Sequence, residues 1–567
     1  MADKSRIQEY DEKKGKEKYD KTYWEKYTDS IFEESKNWRG TNVELQWFVN
    51  YMYYKGFQNL KYDKRTNDFV RDNRNPLNFY VNYTYMICRA VRNAVVRTQP
   101  TWDVDALPYG DISNDESQLL GEFLAFEYGK LKMEDKVNKA VLFGLLYGIG
   151  IFQYGYDDME DDGEGNTWIE TLDPFDTYID PYATSSKDAR YIVKVMSKPL
   201  DVVKENKHYD QKAIENLSTT NEMSESQYKN MIIDNESDTG SIDGNVKMHE
   251  SWCRTKEGIR VITTCSGETL RNELTDFEDL PFEFYLPDIN VNTIYGEGWV
   301  KNIVPLNKAL NYLETSRLEY NIIFNKGKML IPKGAGVKNI TNQNGQKIYY
   351  KPGLKPEIQD MKPIGSDVDR QIGALGVYMQ QIGAANEAFL GQTPAGVTSG
   401  IAIETLVANN YVNLTDLINN LANTLEALGT DILNLGYSHQ NLMKPFRASD
   451  SKYYGVIGGG QEAPEIENYD KIVSIPKNPE VKVRITSGTA HTKEGKRDIY
   501  LQLRAAGDLS RQTLLDTLDI DPEQEQDRLV AEQVEMAQGM QEAQAQAQET
   551  SQIDPEAPLP EGMQIQV

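Results

Sequence analysis

The segment from Gly488 to Lys496 is the nearest approach in this sequence to a nucleotide-binding motif. A phosphate-binding loop needs glycines spaced so that backbone N–H groups surround a phosphate, followed by Lys and a Ser or Thr that ligates magnesium. Here Gly488 and Gly495 stand seven residues apart instead of five, and Arg497 replaces the hydroxyl residue. We therefore predict no ATP site in this segment.

An acidic turn between two predicted strands resembles part of a calcium-binding loop. Asp158, Glu160 and Asp162 alternate as oxygen ligands would, and Gly163 follows them. The position that should supply the bidentate Glu is Ile169, so the ligand set is incomplete. Because acidic residues and Gly are also ordinary turn residues, we predict an exposed hairpin tip here.

Histidines and cysteines are too few and too scattered for metal or nucleophile chemistry. His249 is followed by Glu250 and then Ser-Trp-Cys, so no second histidine completes a helical zinc motif. Cys88, Cys253 and Cys265 form no Cys-x-x-Cys pair, and an odd number is not a disulfide framework. We predict no catalytic, metal or cofactor site, with a carboxylate–metal nuclease acting on DNA as the enzyme alternative.

The charge balance limits the class of partner. The chain of 567 residues carries 61 Lys and Arg against 87 Asp and Glu, a formal net charge of −26. A general nucleic-acid binder would be basic. An acidic surface would instead repel phosphate, although acidity that only serves solubility is an equal alternative.

Membrane and secretion signals are not expected. The amino terminus, Met-Ala-Asp-Lys-Ser-Arg, lacks the apolar core of a signal peptide. The longest apolar run, Ala140–Phe152, is too short to span a bilayer and contains three glycines. The expectation is a soluble protein made in a reducing cytosol, with no membrane span.

Three long helical patterns between Gly296 and Gly436 organise the rest of the chain. The first, Trp299–Asn325, and the second, Asp367–Leu390, repeat apolar residues at spacings of three and four, which places them on one helical stripe. The third, Ile401–Gly436, would be ~55 Å long at ~1.5 Å per residue. One chain could hardly cover such helices on every side, so we expect a neighbouring subunit to pack against them.

The packing residues can be named within this pattern. The apolar stripe of the first helix contains Ile303, Leu306, Leu310 and Leu313. The second helix contains three glycines, Gly373, Gly376 and Gly383. Since each glycine costs ~1 kcal/mol in a helix interior, the three together favour close backbone approach to a neighbour. The alternative is that this stretch is not one continuous helix.

The insert Lys326–Gly365, between the first two helices, has the opposite charge to the whole chain. It contains eight lysines against Glu357 and Asp360, a net charge of +6. These lysines are Lys326, Lys328, Lys333, Lys338, Lys347, Lys351, Lys355 and Lys362. Met329–Pro332 and Lys347–Tyr350 are predicted as short strands. A local charge reversal favours a contact surface, and a solvated lysine-rich loop is the alternative.

The segments before and after these helices alternate helix and strand patterns. Phe79–Thr98 is predicted as a helix whose Arg89, Arg92 and Arg97 could contact DNA or pair with carboxylates. Residues 1–36 favour a solvated helix or disordered arm, and 541–567 a disordered tail. Further helices are predicted at Asn37–Leu60, Ser113–Met133, Asp135–Tyr147, Lys496–Ala506 and Leu509–Leu518. Strands are predicted at Gly150–Tyr156, Thr167–Leu172, Val246–Arg254, Gly258–Cys265, Thr269–Glu273, Tyr453–Gly460, Tyr469–Ile475 and Val481–Thr486.

The order of these elements resembles that of the portal proteins of tailed bacteriophages, the ring-shaped head-to-tail connectors. In that family a stem helix leads to a clip, a second stem helix returns, a tunnel loop follows, and a long helix runs back through the wing. The matching segments here are Trp299–Asn325, Lys326–Gly365, Asp367–Leu390, Gln392–Gly400 and Ile401–Gly436. Upstream, Leu172–Pro181 followed by Asp188–Ile192 resembles the portal wing pattern after a Gly-rich hairpin.

The resemblance implies an α+β, mainly helical fold with wing, stem, clip and crown regions in a ring oligomer. The implied domains are an N-terminal charged arm (1–36), wing (37–295), stem helix (296–326), clip (327–366), second stem helix (367–390), tunnel loop (391–400), long wing helix and strands (401–490), crown helices (491–540) and acidic, Gln-rich tail (541–567).

The resemblance also implies function and partners. Twelve subunits would form a channel at one capsid vertex of the virion, through which double-stranded DNA passes without sequence specificity during packaging and ejection. The tunnel-loop residues facing DNA would be Gln392, Thr393, Thr398 and Ser399. The clip residues docking the terminase large subunit and later a tail adaptor would be Lys328, Lys333, Lys338, Lys347, Lys351 and Lys355. Major capsid and scaffolding proteins are further partners, and assembly takes place in the host cytoplasm. A structural collar without a channel is the remaining alternative.

Overall fold

The computed structural model describes residues 21–63, 68–71, 77, 79–97, 101–104, 113–157, 165–206, 208–219, 222, 224–226, 244–290, 293–326, 328–337, 347–359, 365–391, 400–439, 444–447, 452–459, 469, 471–476 and 481–484. Contacts divide the chain into Met1–Gly488 and Thr489–Val567, and the described residues all belong to the first unit. Predicted features outside the described residues are the turn 158–164, Gln392, Thr393, Thr398, Ser399, Lys338, Lys362, the segment 488–496, the helices after Lys496 and the tail 541–567.

Helices contribute more of the described residues than strands do, and the fold is α+β. The helices are α1 (Lys21–Asn42), α2 (Glu44–Lys55), α3 (Tyr83–Arg97), α4 (Asn114–Lys130), α5 (Met133–Tyr147), α6 (Leu200–Glu205), α7 (Gln211–Glu215), α8 (Val304–Lys326), α9 (Ser366–Ile382), α10 (Gly400–Asn413) and α11 (Thr415–His439). Short 3₁₀ turns at Pro174–Asp176 and Trp299–Asn302 precede β6 and α8.

The strands form small, almost entirely antiparallel sheets. They are β1 (Leu60–Asp63), β2 (Asp68–Arg71), β3 (Thr101–Val104), β4 (Gly150–Asp157), β5 (Asn166–Leu172), β6 (Thr177–Ile179), β7 (Tyr191–Pro199), β8 (Asn245–Thr255), β9 (Gly258–Cys265), β10 (Glu268–Leu274), β11 (Phe282–Tyr285), β12 (Lys328–Leu330), β13 (Glu357–Gln359), β14 (Lys444–Arg447), β15 (Tyr453–Ile457), β16 (Lys471–Ser474) and β17 (Val481–Arg484). The sheet orders are β10-β9-β8-β7-β6, β11-β4-β5, β14-β15-β16, β1-β2, β12-β13 and β17-β3. The β15–β16 pair is parallel.

The main core surrounds α5, which is buried on one face at its start and on nearly all sides from Ala140 to Tyr147. The sheet β11-β4-β5 contacts α5 and α11, and the Thr424 hydroxyl of α11 donates a hydrogen bond of 3.1 Å to the Phe284 carbonyl of β11. Gly148 ends α5 with φ 82°, where a side chain would meet the Gly296 carbonyl at 2.2 Å. This close approach, possible only for glycine, holds the entry of the first long helix against α5.

Of the solvated helix or disordered arm predicted at 1–36, residues 21–36 are helical, but one face of this helix is buried, so the predicted solvation is wrong there. They belong to α1, and Trp24, Ile31 and Phe32 are buried against the five-stranded sheet. Arg39 of the same helix is fully buried and donates from Nη1 to the Pro174 carbonyl at 3.0 Å. The guanidinium also lies 3.7 Å from the Tyr178 ring centre. A hydrogen-bonded, ring-stacked cation therefore ties α1 to the sheet.

Four element predictions are corrected. The helix predicted at Asn37–Leu60 is divided between α1 and α2 at Val43 and ends at Lys55, where Gly56 adopts a left-handed conformation, and Leu60 begins β1. The second long helix ends at Ile382, because Gly383 and the positive φ of Ala384 break the helical conformation. The third is two helices, since Leu414 separates α10 from α11. Lys347–Tyr350 is not a strand, because β12 pairs with Glu357–Gln359. The first long helix, the predicted helices and strands between Ser113 and Glu273, and those after Tyr453 within the described residues are confirmed.

Candidate functional site

The two predicted stem helices, α8 and α9, are antiparallel neighbours that leave the main core together. At their inner end Trp299 Nε1 lies 3.4 Å from the Gly383 carbonyl, and farther out Arg317 Nη1 lies 3.0 Å from Asp369 Oδ1. Arg317, which interrupts the apolar stripe, thus pairs across the two helices and also with Glu314 at 2.7 Å. Both pairs are solvent-accessible, so they align the helices more than they stabilise them.

The inner end of α8 is anchored by a group of buried amides. Asn307 Oδ1 accepts from the Thr84 N–H at 3.0 Å, and Asn307 Nδ2 donates to Gln58 Oε1 at 3.1 Å. Asn311, one turn later, donates to the same Gln58 oxygen at 2.6 Å. Asn307 and Asn311 are almost fully buried. The network therefore fixes the direction in which α8 leaves the core, because every displacement breaks several buried hydrogen bonds at once.

Sequence reasoning missed this amide group. Its signal was present: Asn307 and Asn311 stand four residues apart and beside the apolar stripe of α8, so they occupy one helical face. A polar pair at core positions must find hydrogen-bond partners, but the sequence alone does not show that Gln58 and Thr84 supply them.

The predicted packing residues of α8 and α9 differ in what they contact. Ile303 and Leu310 are buried, and Leu306 and Leu313 are half-buried. Among the glycines, a Cβ at Gly383 would lie 2.4 Å from Ile87 Cγ2 of the same chain. At Gly376 it would touch only the Tyr83 hydroxyl, at 3.4 Å, and at Gly373 it would meet nothing within 4 Å. Close packing within the chain therefore explains Gly383 and does not explain Gly373.

Both stem helices expose large apolar side chains, from the middle of α8 outwards and on the carboxyl-terminal half of α9, which is its inner end. On α8 these are Tyr312, Leu318, Ile322 and Ile323, and on α9 they are Val377, Tyr378 and Ile382, each between 37% and 52% exposed. Extended apolar patches on one chain mark surfaces that another molecule covers.

The predicted clip combines a small hairpin with a basic, aromatic surface. Tyr349 is 79% exposed, and Leu330 of β12 is 54% exposed. Lys333, Lys347, Lys351 and Lys355 are exposed and form no ion pair with a carboxylate of the described residues, whereas the side chain of Lys328 lies outside them. Unpaired surface lysines beside apolar groups suit a partner of negative charge.

The segment before the predicted tunnel loop is held against α10. Asn386 Nδ2 donates to the Leu406 carbonyl at 3.1 Å, and the Phe389 and Tyr411 rings are 5.7 Å apart. The turn at 383–391 therefore has a fixed position, and the loop that follows begins from a rigid base.

The arginines of α3 lie beside the turn at 383–391. Arg89 and Arg97 line a cleft of about 620 Å³ between α3, the turn at 383–391 and α10. Arg89, Arg92 and Arg97 form no ion pair with a carboxylate anywhere in the described ranges, so pairing within the chain, expected as one alternative, is not found there.

Two acidic side chains, Glu283 of β11 and Asp431 of α11, are largely shielded from water. Burial, reinforced by the negative charge of Asp431, raises the pKa of Glu283 to about 8. Burial likewise raises the pKa of Asp431 to about 6, although a hydrogen bond from the Tyr154 hydroxyl acts in the other direction. Lys187 and Asp279 are the other charged groups that act on both. Burial therefore favours the protonated form of Glu283 in the folded chain.

No metal or membrane site is found in the part of the chain that the structure describes. It contains no group of three or more His, Cys, Asp or Glu placed to hold a metal ion. His249 is half-buried and stacks on Phe32 with ring centres 4.3 Å apart, and burial lowers its pKa to about 4. Cys88, Cys253 and Cys265 are buried and free. None of the helices in the described ranges is long and apolar enough to span a bilayer.

Comparison with known protein families gives one match. A family model described as Phage P22-like portal protein matches residues 66–437, about two thirds of the chain. No curated protein matches the chain.

Proposed function

The chain belongs to the family of phage P22-like portal proteins, and we propose that twelve copies of it form a ring with a central DNA channel at one capsid vertex. A portal protein is a head-to-tail connector used in genome packaging.

The exposed apolar surface of the two stem helices is the observation that carries the ring proposal. Its seven large side chains are each about half exposed, and burying one of them fully would contribute ~1 kcal/mol beyond its burial in the single chain. Copies that pack side by side through these helices would gain several kcal/mol per contact. When one face of a copy binds a different face of the next copy, the copies close into a ring if the rotation between neighbours divides a full turn evenly.

We also propose which regions of the chain form each part of a portal. The sheets and helices before Gly296 would form the wing, α8 and α9 the stem, and the basic hairpin between them the clip. The loop residues Gln392, Thr393, Thr398 and Ser399 would project towards the channel as an uncharged loop. Residues 491–540 would form the crown.

The clip is proposed to dock the terminase large subunit, and later a tail adaptor. The exposed clip lysines that pair with no described carboxylate support this role, since a positive surface on a chain of net charge −26 would guide a negatively charged partner. The terminase would supply the ATP hydrolysis, and the portal would act without an enzymatic step of its own. Capsid and scaffolding proteins would surround the wing at the vertex.

Electron microscopy and mass measurement of the purified chain test the ring. We expect rings with a central opening for the wild type, and folded monomers for Ile323→Asp with Tyr378→Asp, because charges would then face the apolar contact. Val202→Asp, an equally exposed apolar position of the wing, is the matched control and should still form rings. A monodisperse wild-type monomer at micromolar concentration would overturn the proposal, and rings without an opening would indicate a structural collar.

A further inference from the structure

A stripe of positive charge on α3 has no negative partner within the described chain. Arg89, Asn93 and Arg97 recur every four residues and line the cleft of about 620 Å³ described above. Both arginines are exposed, and α3 contains no acidic residue. In a chain with 26 more acidic than basic residues, two unpaired arginines on one helix face are an unusual concentration of positive charge.

A second cleft lies along the neighbouring stripe of α10. It measures about 480 Å³ and is lined by Asn410 of α10, Gln380 of α9 and Glu387 of the turn between these helices. Glu387 is exposed, is the only charged residue among the described lining residues, and has no ion pair with a described residue. The cleft therefore carries negative charge and amide groups.

Asn410, which lines this second cleft, carries a hydrogen-bond donor without an acceptor among the described residues. The residue is 5% exposed, and the atom concerned is Nδ2. A buried donor without an acceptor is costly. A molecule seated in the cleft that offers an oxygen atom would remove this cost.

The two clefts are adjacent and opposite in charge. Each is bounded by the turn at 383–391, with Ala388–Leu390 lining the arginine cleft and Glu387 lining the amide cleft. A head-to-tail contact in a ring joins two different faces of one chain. The matching partner for each cleft is thus available on a second copy of this chain.

We propose that Glu387 of one copy pairs with Arg89 and Arg97 of the next copy in the ring. The inference rests on the ring proposed above and adds the polar contact that sets its register. Asn93, between the two arginines, is placed to offer its amide oxygen to Asn410 of the neighbour. Because the turn leads directly into the predicted tunnel loop, the same contact would fix the spacing of adjacent loops around the channel. Charge pairs of this kind determine alignment as well as affinity.

A charge-exchange experiment on the full chain tests the pairing. Arg89→Glu with Arg97→Glu, and separately Glu387→Arg, should each raise the concentration for half-assembly about tenfold or more, as loss or reversal of a desolvated charge pair does. Combining all three changes should bring that concentration back to within about threefold of wild type, since the pair is restored with reversed polarity. Lys204→Glu with Lys256→Glu changes the net charge equally on exposed wing positions and serves as the control. Ring and monomer fractions would be measured by native mass spectrometry, and folding of each variant by circular dichroism.

The outcomes separate this inference from the ring itself. If the wild type forms rings and both charge-reversal variants assemble as well as it does, the pairing is wrong. The pairing is also wrong if both variants lose assembly and the combined variant does not recover it. Neither result contradicts the ring proposed for the wild type. Arginine variants that assemble normally but retain less DNA in packaging assays would assign the cleft to DNA phosphates and overturn it also. A wild type that forms no ring overturns the proposed function and this inference together.

Discussion

The amide group at the inner end of α8 allows one perturbation to be worked out in detail. Asn307 accepts hydrogen bonds from the Thr84 N–H and hydroxyl at 3.0 and 3.1 Å. It also donates to Gln58 Oε1 at 3.1 Å and to the Val81 carbonyl at 2.9 Å. Asn307→Leu keeps a similar volume but removes all four bonds. At ~1 kcal/mol net for each bond, and somewhat more for groups left unpaired and buried, we expect a loss of about 3–5 kcal/mol in unfolding free energy.

Hydrogen exchange reports this loss locally. The Thr84 amide has Asn307 Oδ1 as its acceptor, so its exchange should accelerate directly, and a loss of ~3 kcal/mol corresponds to about a 100-fold faster rate when opening is at equilibrium. Asn302→Leu makes the same chemical change at an exposed position just before α8 and is the control. The anchoring role would be refuted if the Thr84 amide exchanged at the same rate in Asn307→Leu and Asn302→Leu and the unfolding free energies of these two variants differed by less than ~1 kcal/mol.

Three further predictions follow from other features of the chain. The pKa of Glu283 is raised from 4.5 to about 8 in the folded chain, so the folded state holds a proton that the unfolded state releases, and stability falls as pH rises from about 4.5 to 8. Glu283→Gln should therefore raise the urea midpoint at pH 8 and leave it nearly unchanged at pH 4.5; equal shifts at both values would contradict this sign. Replacing Lys338, Lys347 and Lys351 with Glu should leave ring assembly intact but slow terminase binding in a salt-dependent way, measured by surface plasmon resonance at low and high salt; unchanged binding at low salt would mean that these lysines are only solvated. Removing 541–567 should leave ring formation unchanged by electron microscopy, and loss of rings would show that the tail is structural.

The sequence predicted the long helix α8 because periodicity carried enough information there. Apolar residues recur there at spacings of three and four along one stripe that only Arg317 interrupts, and no Gly or Pro occurs in the helix after Pro305. The break at Leu414 was not predictable in the same way. The apolar spacing continues through Tyr411, Leu414 and Ile418, so a one-residue departure from helical geometry leaves the pattern intact.

The burial of α1 was missed for a different reason. Two of the positions that face the sheet are Thr28 and Ser35, each 1% exposed. Their hydroxyls bond to the Glu25 carbonyl at 2.9 Å and to the Tyr191 hydroxyl at 3.3 Å. A pattern search that treats small hydroxyl residues as surface residues loses two of the six described buried positions of α1, although a hydrogen-bonded hydroxyl is inexpensive to bury.

The predicted site residues divide according to whether their partners lie in the same chain. Ile303 and Leu310 are buried by the chain itself, so a monomer suffices to explain them. Gly373, the exposed apolar residues of α8 and α9, and the lysines of the clip have no such explanation in the described structure. A single sequence marks both groups as apolar, small or basic, since composition records the residue type and not the molecule that covers it.

The contrast along α8 bears on how a ring could assemble. The inner end is fixed by buried hydrogen bonds within one chain, and the outer end exposes Leu318, Ile322 and Ile323. A helix anchored at one end needs little further ordering when a neighbour packs against it, because its direction is already set before contact. Beyond the translational and rotational entropy that any association loses, the conformational entropy lost is then confined to side chains and the outermost turns. Apolar burial between neighbours would therefore be opposed by a smaller conformational cost, and this is why the amide anchor, remote from the proposed subunit contact, should still influence ring formation.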